Sequence, residues 1–316
     1  MLERKREKLS ASDASERIKV KQAVITAAGR ATRLLPATKQ QPKSMLPLFA
    51  IGSEGQLSTT PILQKIFEEL FDNGIREFYF IVGKEKRAVQ DHFIADPDYI
   101  TYLNEQGRSV QAVELEEFYR KVNESFLIWI DQPKPKGFGD AILHVAGLIG
   151  SDPFLVQAGD TIIISDSGVT DIIARLLKTH LEKKAQATLT LKEVRDARRF
   201  GVAEVNDNED GTFKVTHVVE KPEHPATNLS IQALYMFDPC ILEVLRDIPP
   251  GKGGELQLTD GIQRLIDLGY TVQGIKISPH DHVLDIGTPE TYWDALQFTH
   301  QYFVESSTLR RHETLQ

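Results

Sequence analysis

KQAVITAAGRATRLLPATKQQPKSMLPL, residues 21–48, opens as an apolar run and turns abruptly into a loop. The whole stretch holds one glycine, three prolines and five cations. Its β-branched run from Gln22 to Ile25 predicts a buried strand. A glycine-containing turn after a first strand is where α/β proteins bind phosphates, because backbone N–H groups point outward there. Two standard forms of that turn are absent. Gly29 is followed by Arg30, Ala31, Thr32, Arg33 and Leu34, with no second or third glycine for a dinucleotide fingerprint, and Lys43-Ser44 follows Pro42 rather than a glycine loop. What remains is a long cationic loop braced by Pro36, Pro42 and Pro47, each of which fixes φ. A braced loop of that charge suits a polyphosphate.

Working outward, strand and helix alternate. PILQKIFEELFDNG repeats apolar residues at Ile62, Ile66, Phe67, Leu70 and Phe71, predicting an amphipathic helix that stops at Gly74. EFYFIVG from Glu77, FLIWI from Phe126 and FLVQAG from Phe154 read as strands, with KRAVQDHF and GDAILHVAGLIG as helices between them. The polar segment from Tyr99 to Val122 allows one or two inserted helices. This order predicts an α/β fold with a largely parallel sheet. After about residue 185 the pattern becomes TLTLKEV, GVAEV, TFKVTHVV and SIQALYMF, a smaller β-rich region on the edge of the body. Residues 1–19 read as a charged N-terminal extension. The remainder, 20–316, reads as one domain: about 20–185, about 186–290, and a C-terminal helix over 291–316.

With 37 basic and 45 acidic residues the formal charge is -8, which argues against general nucleic-acid binding and makes any phosphate site local. No apolar run has the length of a membrane span, and the first residues lack an export signal's apolar core, so a cytoplasmic protein without a membrane partner is expected. The only cysteine, Cys240, excludes an intrachain disulfide and reads as a small buried or half-buried side chain. His144, His217 and His282 lack metal-ligand spacing and read as structural or surface residues. No Ser/His/Asp or Cys/His arrangement offers a covalent nucleophile.

The pattern AGxxTRxLPATKxxPKxMLPL resembles the signature of the sugar-1-phosphate nucleotidyltransferases. PATK and PKSMLPL resemble in particular the bacterial-type UTP:glucose-1-phosphate uridylyltransferases. The similarity continues in order through QPKPKGFGDA, AGDT, FGVAEV, VVEKP, GGELQLTDGI and LDIGTPETY. One departure stands out: Ala31 occupies the place of the signature's second glycine, where a required positive φ would cost about 1 kcal/mol or more. The resemblance implies a Rossmann-like, mostly parallel sheet flanked by helices, of the nucleotide-diphospho-sugar transferase type, with a smaller β-rich sugar-binding region. It implies UTP and a hexose 1-phosphate as substrates, UDP-glucose and pyrophosphate as products, and a homo-oligomer. Thymidylyl or guanylyl transfer is the nearest alternative, and a non-catalytic nucleotide-sugar-binding subunit of the same fold is another. A dinucleotide-dependent oxidoreductase is disfavoured by the missing glycines.

The resemblance also implies a distribution of roles. Arg33 and Lys43 become the catalytic cations, the first suited to paired phosphate oxygens and the second a compact charge for the α-phosphate. Ala28, Gly29, Gln132 and Gly137 become nucleotide-binding. The Gln132 amide complements the carbonyl and N–H edge of uracil, and Gly137 lets main chain reach the base. Gly201, Glu220 and Lys221 become sugar-phosphate-binding. Neighbouring strand residues point to opposite faces, so Glu220 and Lys221 can share a site only if the chain turns there, as Pro222 allows. Asp160 and Asp285 become ligands of Mg2+, an ion that takes one or two carboxylates and completes its shell from phosphates and water. Taken alone, each aspartate reads equally as a turn residue. PLFA, ELQLTDGI and WDALQF are expected to be packing segments, with Trp293 anchoring the last helix.

Overall fold

The computed structural model describes residues 20–83, 87–165 and 171–313, with side chains as far as residue 304. The extension read over residues 1–19 lies outside the described residues. In chain order the elements are β1 (Gln22–Ala27), β2 (Pro47–Ile51), β3 (Leu57–Pro61), α1 (Ile62–Asp72), β4 (Glu77–Gly83), α2 (Arg87–His92), α3 (Pro97–Glu105), α4 (Ser109–Asn123), β5 (Phe126–Gln132), α5 (Phe138–Leu143), β6 (Phe154–Ala158), β7 (Thr161–Ser165) and α6 (Ile172–Glu182). They continue with β8 (Ala187–Glu193), β9 (Gly201–Asp207), β10 (Phe213–Glu220), β11 (Leu229–Phe237), α7 (Cys240–Asp247), α8 (Leu258–Asp267), β12 (Val272–Lys276), β13 (Asp281–Asp285) and α9 (Pro289–Glu313).

One nine-stranded sheet runs β5-β4-β1-β6-β11-β8-β12-β10-β9. The first four strands are parallel, and β11 joins them antiparallel to β6. Among the later strands only β8 and β12 are parallel, and a contact of Ser230 with Val202 brings β9 back to β11, so these strands curl toward a ring. The parallel strands are apolar on both faces because helices cover both. Alternation along β1 divides the core in two. Ala23 and Ile25 pack with α1, whereas Val24 packs with Ala141 of α5, Ile241 of α7 and Ile262 of α8. On β4, Phe78 and Phe80 join the first layer and Tyr79 and Ile81 the second.

Helix α1 forms where its period predicts. Ile62, Ile66, Phe67, Leu70 and Phe71 are buried, and the chain leaves the helix through Gly74 at φ 96°. The inserted segment is two helices, α3 and α4. Phe118 of α4 docks edge-on against Phe67 at 6.1 Å between centroids. GDAILHVAGLIG is helical only to Leu143, after which turns take over. Cys240 is half-buried, and burial pushes its thiol up to about 11. No described helix is long and apolar enough to cross a membrane.

Glu69 on α1 carries a cost. Burial pushes its carboxyl up to about 7, with Lys65 partly offsetting this and Asp281 and Asp72 adding to it. Because the folded value exceeds the unfolded one, the stabilising contribution of the bound proton is present below about pH 4.5 and lost as pH rises through about 7. Glu69→Gln is therefore expected to raise the melting temperature by a few degrees at about pH 8 and to change it little at about pH 4.5. Paired thermal melts of the two proteins at those pH values check this, and an equal shift at both would assign the effect to packing.

Candidate active site

The carboxyl ends of β1, β5 and β6 open on one cavity of about 630 Å³, where ligands of open α/β sheets gather. The loop after β1 is not a helix but three short 3₁₀ turns, Thr32–Leu34, Ala37–Lys39 and Lys43–Met45. Leu34, Thr38, Ser44 and Met45 are buried and moor it, so the intervening cations are held in place at little further entropic cost. Ala31 is left-handed, with φ 49° and ψ 39°, a conformation that costs a non-glycine residue about 1 kcal/mol. Its carbonyl accepts from Thr38 Oγ1 at 2.8 Å and from the Leu34 N–H at 3.0 Å, which offset that strain. Among the described residues, a Cβ on Gly29 would meet Lys43 at 3.9 Å, an ordinary van der Waals distance.

Ala28, Gly29, Lys43, Asp160, Gln132 and Gly137 line the cavity from the parallel half of the sheet. Lys43 Nζ donates to Asp160 Oδ2. Asp285 stands on β13 opposite Thr161 of β7, and the Ile286 N–H donates to the Asp160 carbonyl at 3.0 Å, which brings the two aspartates together. The Asp285 carboxyl is raised above its ordinary value, first by desolvation and next by the Asp160 charge, while Lys43, Arg199 and Arg33 pull it back. Arg33 and Asp285 do not line the cavity themselves. They come together beside Gly287, where a Cβ would lie 3.5 Å from Asp285 Oδ2 and 4.0 Å from an Arg33 guanidinium nitrogen.

Such a pair suits a divalent cation. The Asp160 charge raises the proton affinity of Asp285, the two carboxylates supply hard oxygen donors, and a dication between them would remove the repulsion. Among the described residues no three carboxylate, imidazole or thiolate groups converge on one point.

Gly201, Glu220 and Lys221 face the same cavity from β9 and β10. The turn that the Glu-Lys-Pro sequence requires is present, because Lys221 is left-handed at φ 44° and both side chains therefore reach one side. Lys221 Nζ lies 2.7 Å from Glu220 Oε1, and Thr259 Oγ1 donates to Glu220 Oε2 at 2.6 Å. A Cβ on Gly201 would come within 2.9 Å of Thr259 Oγ1 and 3.2 Å of Glu220 Oε2, so glycine preserves that carboxylate's setting.

A nucleotidyl transferase family model matches residues 22–302, nearly the whole described chain. The chain belongs to the nucleotidyl transferase family. Its relatives include a putative UTP–glucose-1-phosphate uridylyltransferase of Methanocaldococcus jannaschii, 35% identical over 251 residues that cover 78% of this chain and 82% of the relative. The UTP–glucose-1-phosphate uridylyltransferase of Bacillus subtilis is 35% identical over 254 residues, covering 79% and 82% respectively. Among solved structures, an apo UDP-glucose pyrophosphorylase superposes with a TM-score of 0.79 at 26% identity, covering 91% of this chain and all of that one. A UTP-bound UGPase from Acinetobacter baumannii gives 0.75 at 26% identity, covering 89% and 93%.

Three features of this nucleotidyl transferase escape its sequence pattern. ELQLTDGI, expected to be packing, divides its labour: Leu258 and Ile262 are buried in the core, but Glu255, Gln257 and Thr259 line the cavity. The alternation of polar and apolar residues in ELQLT was the signal. Trp293 does not anchor the last helix, being 59% exposed, and Ala295 and Thr299 make the buried contacts instead. Arg199 also lines the cavity and faces Asp285. Its neighbour Arg198 is held by Asp196 through two contacts of 2.8 Å, whereas the Arg199 side chain has no ion pair among the described residues.

Proposed function

We propose that this nucleotidyl transferase makes UDP-glucose and pyrophosphate from UTP and glucose 1-phosphate. The observation that carries the reading is convergence: Lys43 and Asp160 line one cavity from the parallel half of the sheet and Glu220 and Lys221 line it from the other, with Asp285 and Arg33 grouped behind Asp160. The names of the relatives and the UTP-bound structural neighbour support the same substrates. Residues about 20–185 would hold the nucleotide and about 186–290 the sugar phosphate, with the C-terminal helix expected over 291–316 described as far as Glu313.

The chemistry joins two polyanions, so the principal task is to neutralise charge and align the groups. A phosphate oxygen of glucose 1-phosphate attacks the α-phosphorus in line, and the bond to the β-phosphate bridging oxygen breaks, releasing pyrophosphate. The attacking oxygen is already ionised, so no general base is required. Lys43 presents its ammonium to the α-phosphate, Arg33 holds the β- and γ-phosphates, and Lys221 holds the incoming phosphate beside Glu220, which accepts from sugar hydroxyls. Backbone at Ala28 and Gly29 approaches the triphosphate, Gln132 and Gly137 meet the base, and Gly201 leaves room for the sugar ring. Asp160 and Asp285 would hold Mg2+, which supplies charge neutralisation to the phosphates when bound. Such a reaction draws on the cytoplasmic nucleotide pool.

Purified protein with glucose 1-phosphate and a panel of nucleoside triphosphates is expected to release pyrophosphate fastest with UTP, to stop on chelation and to resume with added magnesium. Faster release with dTTP or GTP would overturn the uridylyl assignment. No release with any nucleotide, despite tight binding of UDP-glucose, would identify a binding subunit instead.

A further inference from the structure

We infer that Asp140 is a positioning residue that fixes which way round the Gln132 amide faces the cavity, and so makes the nucleotide pocket select a base with an N–H at the pyrimidine 3-position. The inference rests on the reading above that Gln132 meets the base.

Gln132 is 4% exposed and lines the cavity at the end of β5. Its Nε2 donates to Asp140 Oδ2 at 2.7 Å, and its side chain makes no other hydrogen bond among the described residues. Asp140 sits in the first turn of α5, with His144 Nε2 3.7 Å from the same oxygen. An amide can ordinarily be turned over without loss, exchanging its donor and acceptor ends. Here the partner's chemistry forbids it, because an ionised carboxylate accepts hydrogen bonds and cannot donate one. Only the NH₂ end can face Asp140, and the reversed amide would set Oε1 against a carboxylate oxygen. The orientation left for a ligand is therefore fixed: Oε1 and the second N–H.

That pair reads one kind of base edge. Uracil presents a carbonyl beside its N3–H, so Oε1 accepts the N–H while the remaining amide hydrogen donates to the carbonyl. Cytosine presents a bare N3 beside an amino group and would place its N3 lone pair against Oε1. A freely turning glutamine satisfies either base, whereas one tied to Asp140 satisfies only the first. A site built to pair one polar pattern rejects its complement strongly, because the mismatched groups are left buried without partners.

The test compares UTP and CTP in wild type and in Asp140→Asn, which has nearly the same shape but can donate as well as accept and so permits both amide orientations. Steady-state kcat/KM with glucose 1-phosphate and equilibrium binding of each nucleotide by calorimetry are measured together. The UTP-to-CTP ratio is expected to fall about tenfold or more, with the KM for glucose 1-phosphate unchanged. Asp140→Glu, still an acceptor only, is expected to keep more of the ratio than Asp140→Asn. If the asparagine variant melts early, Asp140→Ala serves the same purpose, since it too releases the amide. A wild type that prefers UTP and variants that keep its full preference would overturn the inference alone. A wild type that binds neither nucleotide would overturn it together with the uridylyl reading.

Discussion

Lys43→Ala is expected to lower turnover by about 10²–10³-fold, the usual loss when one preorganised donor to a developing charge is removed. The melting temperature should move by only a few degrees. Lys43 is attached to a loop moored elsewhere, by Leu34, Thr38, Ser44 and Met45, so its ammonium is not what holds the loop down. Its principal protein contact is Asp160, and both side chains are partly open to solvent, so water can take over much of the Asp160 carboxylate's solvation. The electrostatic consequence is more local. Lys43 is one of three cations that lower the Asp285 carboxyl, so its loss raises that carboxyl's affinity for protons as well as depriving the phosphates of a partner. Initial rates and thermal melts on the same preparation check this. A variant that loses stability in proportion to activity would make Lys43 a structural residue.

Gly137→Ala is expected to cost about 2–5 kcal/mol of folding stability, combining a glycine-only backbone region with an over-packed contact. Gly137 has φ 116° and ψ 170°, and a Cβ there would lie 2.5 Å from the Leu256 carbonyl oxygen and 2.8 Å from its nitrogen. Neither atom belongs to a flexible side chain. The Gly139 N–H donates to that same Leu256 carbonyl at 2.9 Å, and the Leu256 N–H donates to the Lys136 carbonyl at 2.8 Å, so the strand-to-helix turn is stitched to the segment before α8. Chemical denaturation measures the loss. A variant of wild-type stability but weakened UTP binding would show that glycine is needed only for the nucleotide. The present geometry assigns Gly137 a structural reason beyond the base approach expected from the sequence.

Most of the parallel body was legible because its signals are local. The period of α1, the glycine that ends it and the apolar runs of β1, β4 and β6 each reflect burial of a segment against neighbours of the same kind. The Glu220–Lys221 pair was legible to a degree, since two adjacent side chains can share a face only across a turn, and φ at Lys221 supplies one. Less accessible were contributions whose neighbours are remote in the chain. Arg199 and Arg198 are indistinguishable as letters, and what separates them is Asp196 on one side and an open cavity on the other. Trp293 looked like an anchor because large aromatics usually bury, yet its face of α9 points outward.

Residue order alone sufficed for the α/β alternation, the cationic loop and the family, because strand and helix periods and turn chemistry depend on near neighbours and a long ordered set of motifs does not recur by accident. The meeting of Asp160 with Asp285, the hold of Asp140 on Gln132 and the use of ELQLT as a cavity wall came only with the folded chain. The first and last depend on pairing between distant segments, β7 with β13 and the turn before α5 with the segment before α8, and the second on how the chain turns from β5 into α5; the distances that matter for charge and hydrogen bonding exist only once the chain has closed in this way.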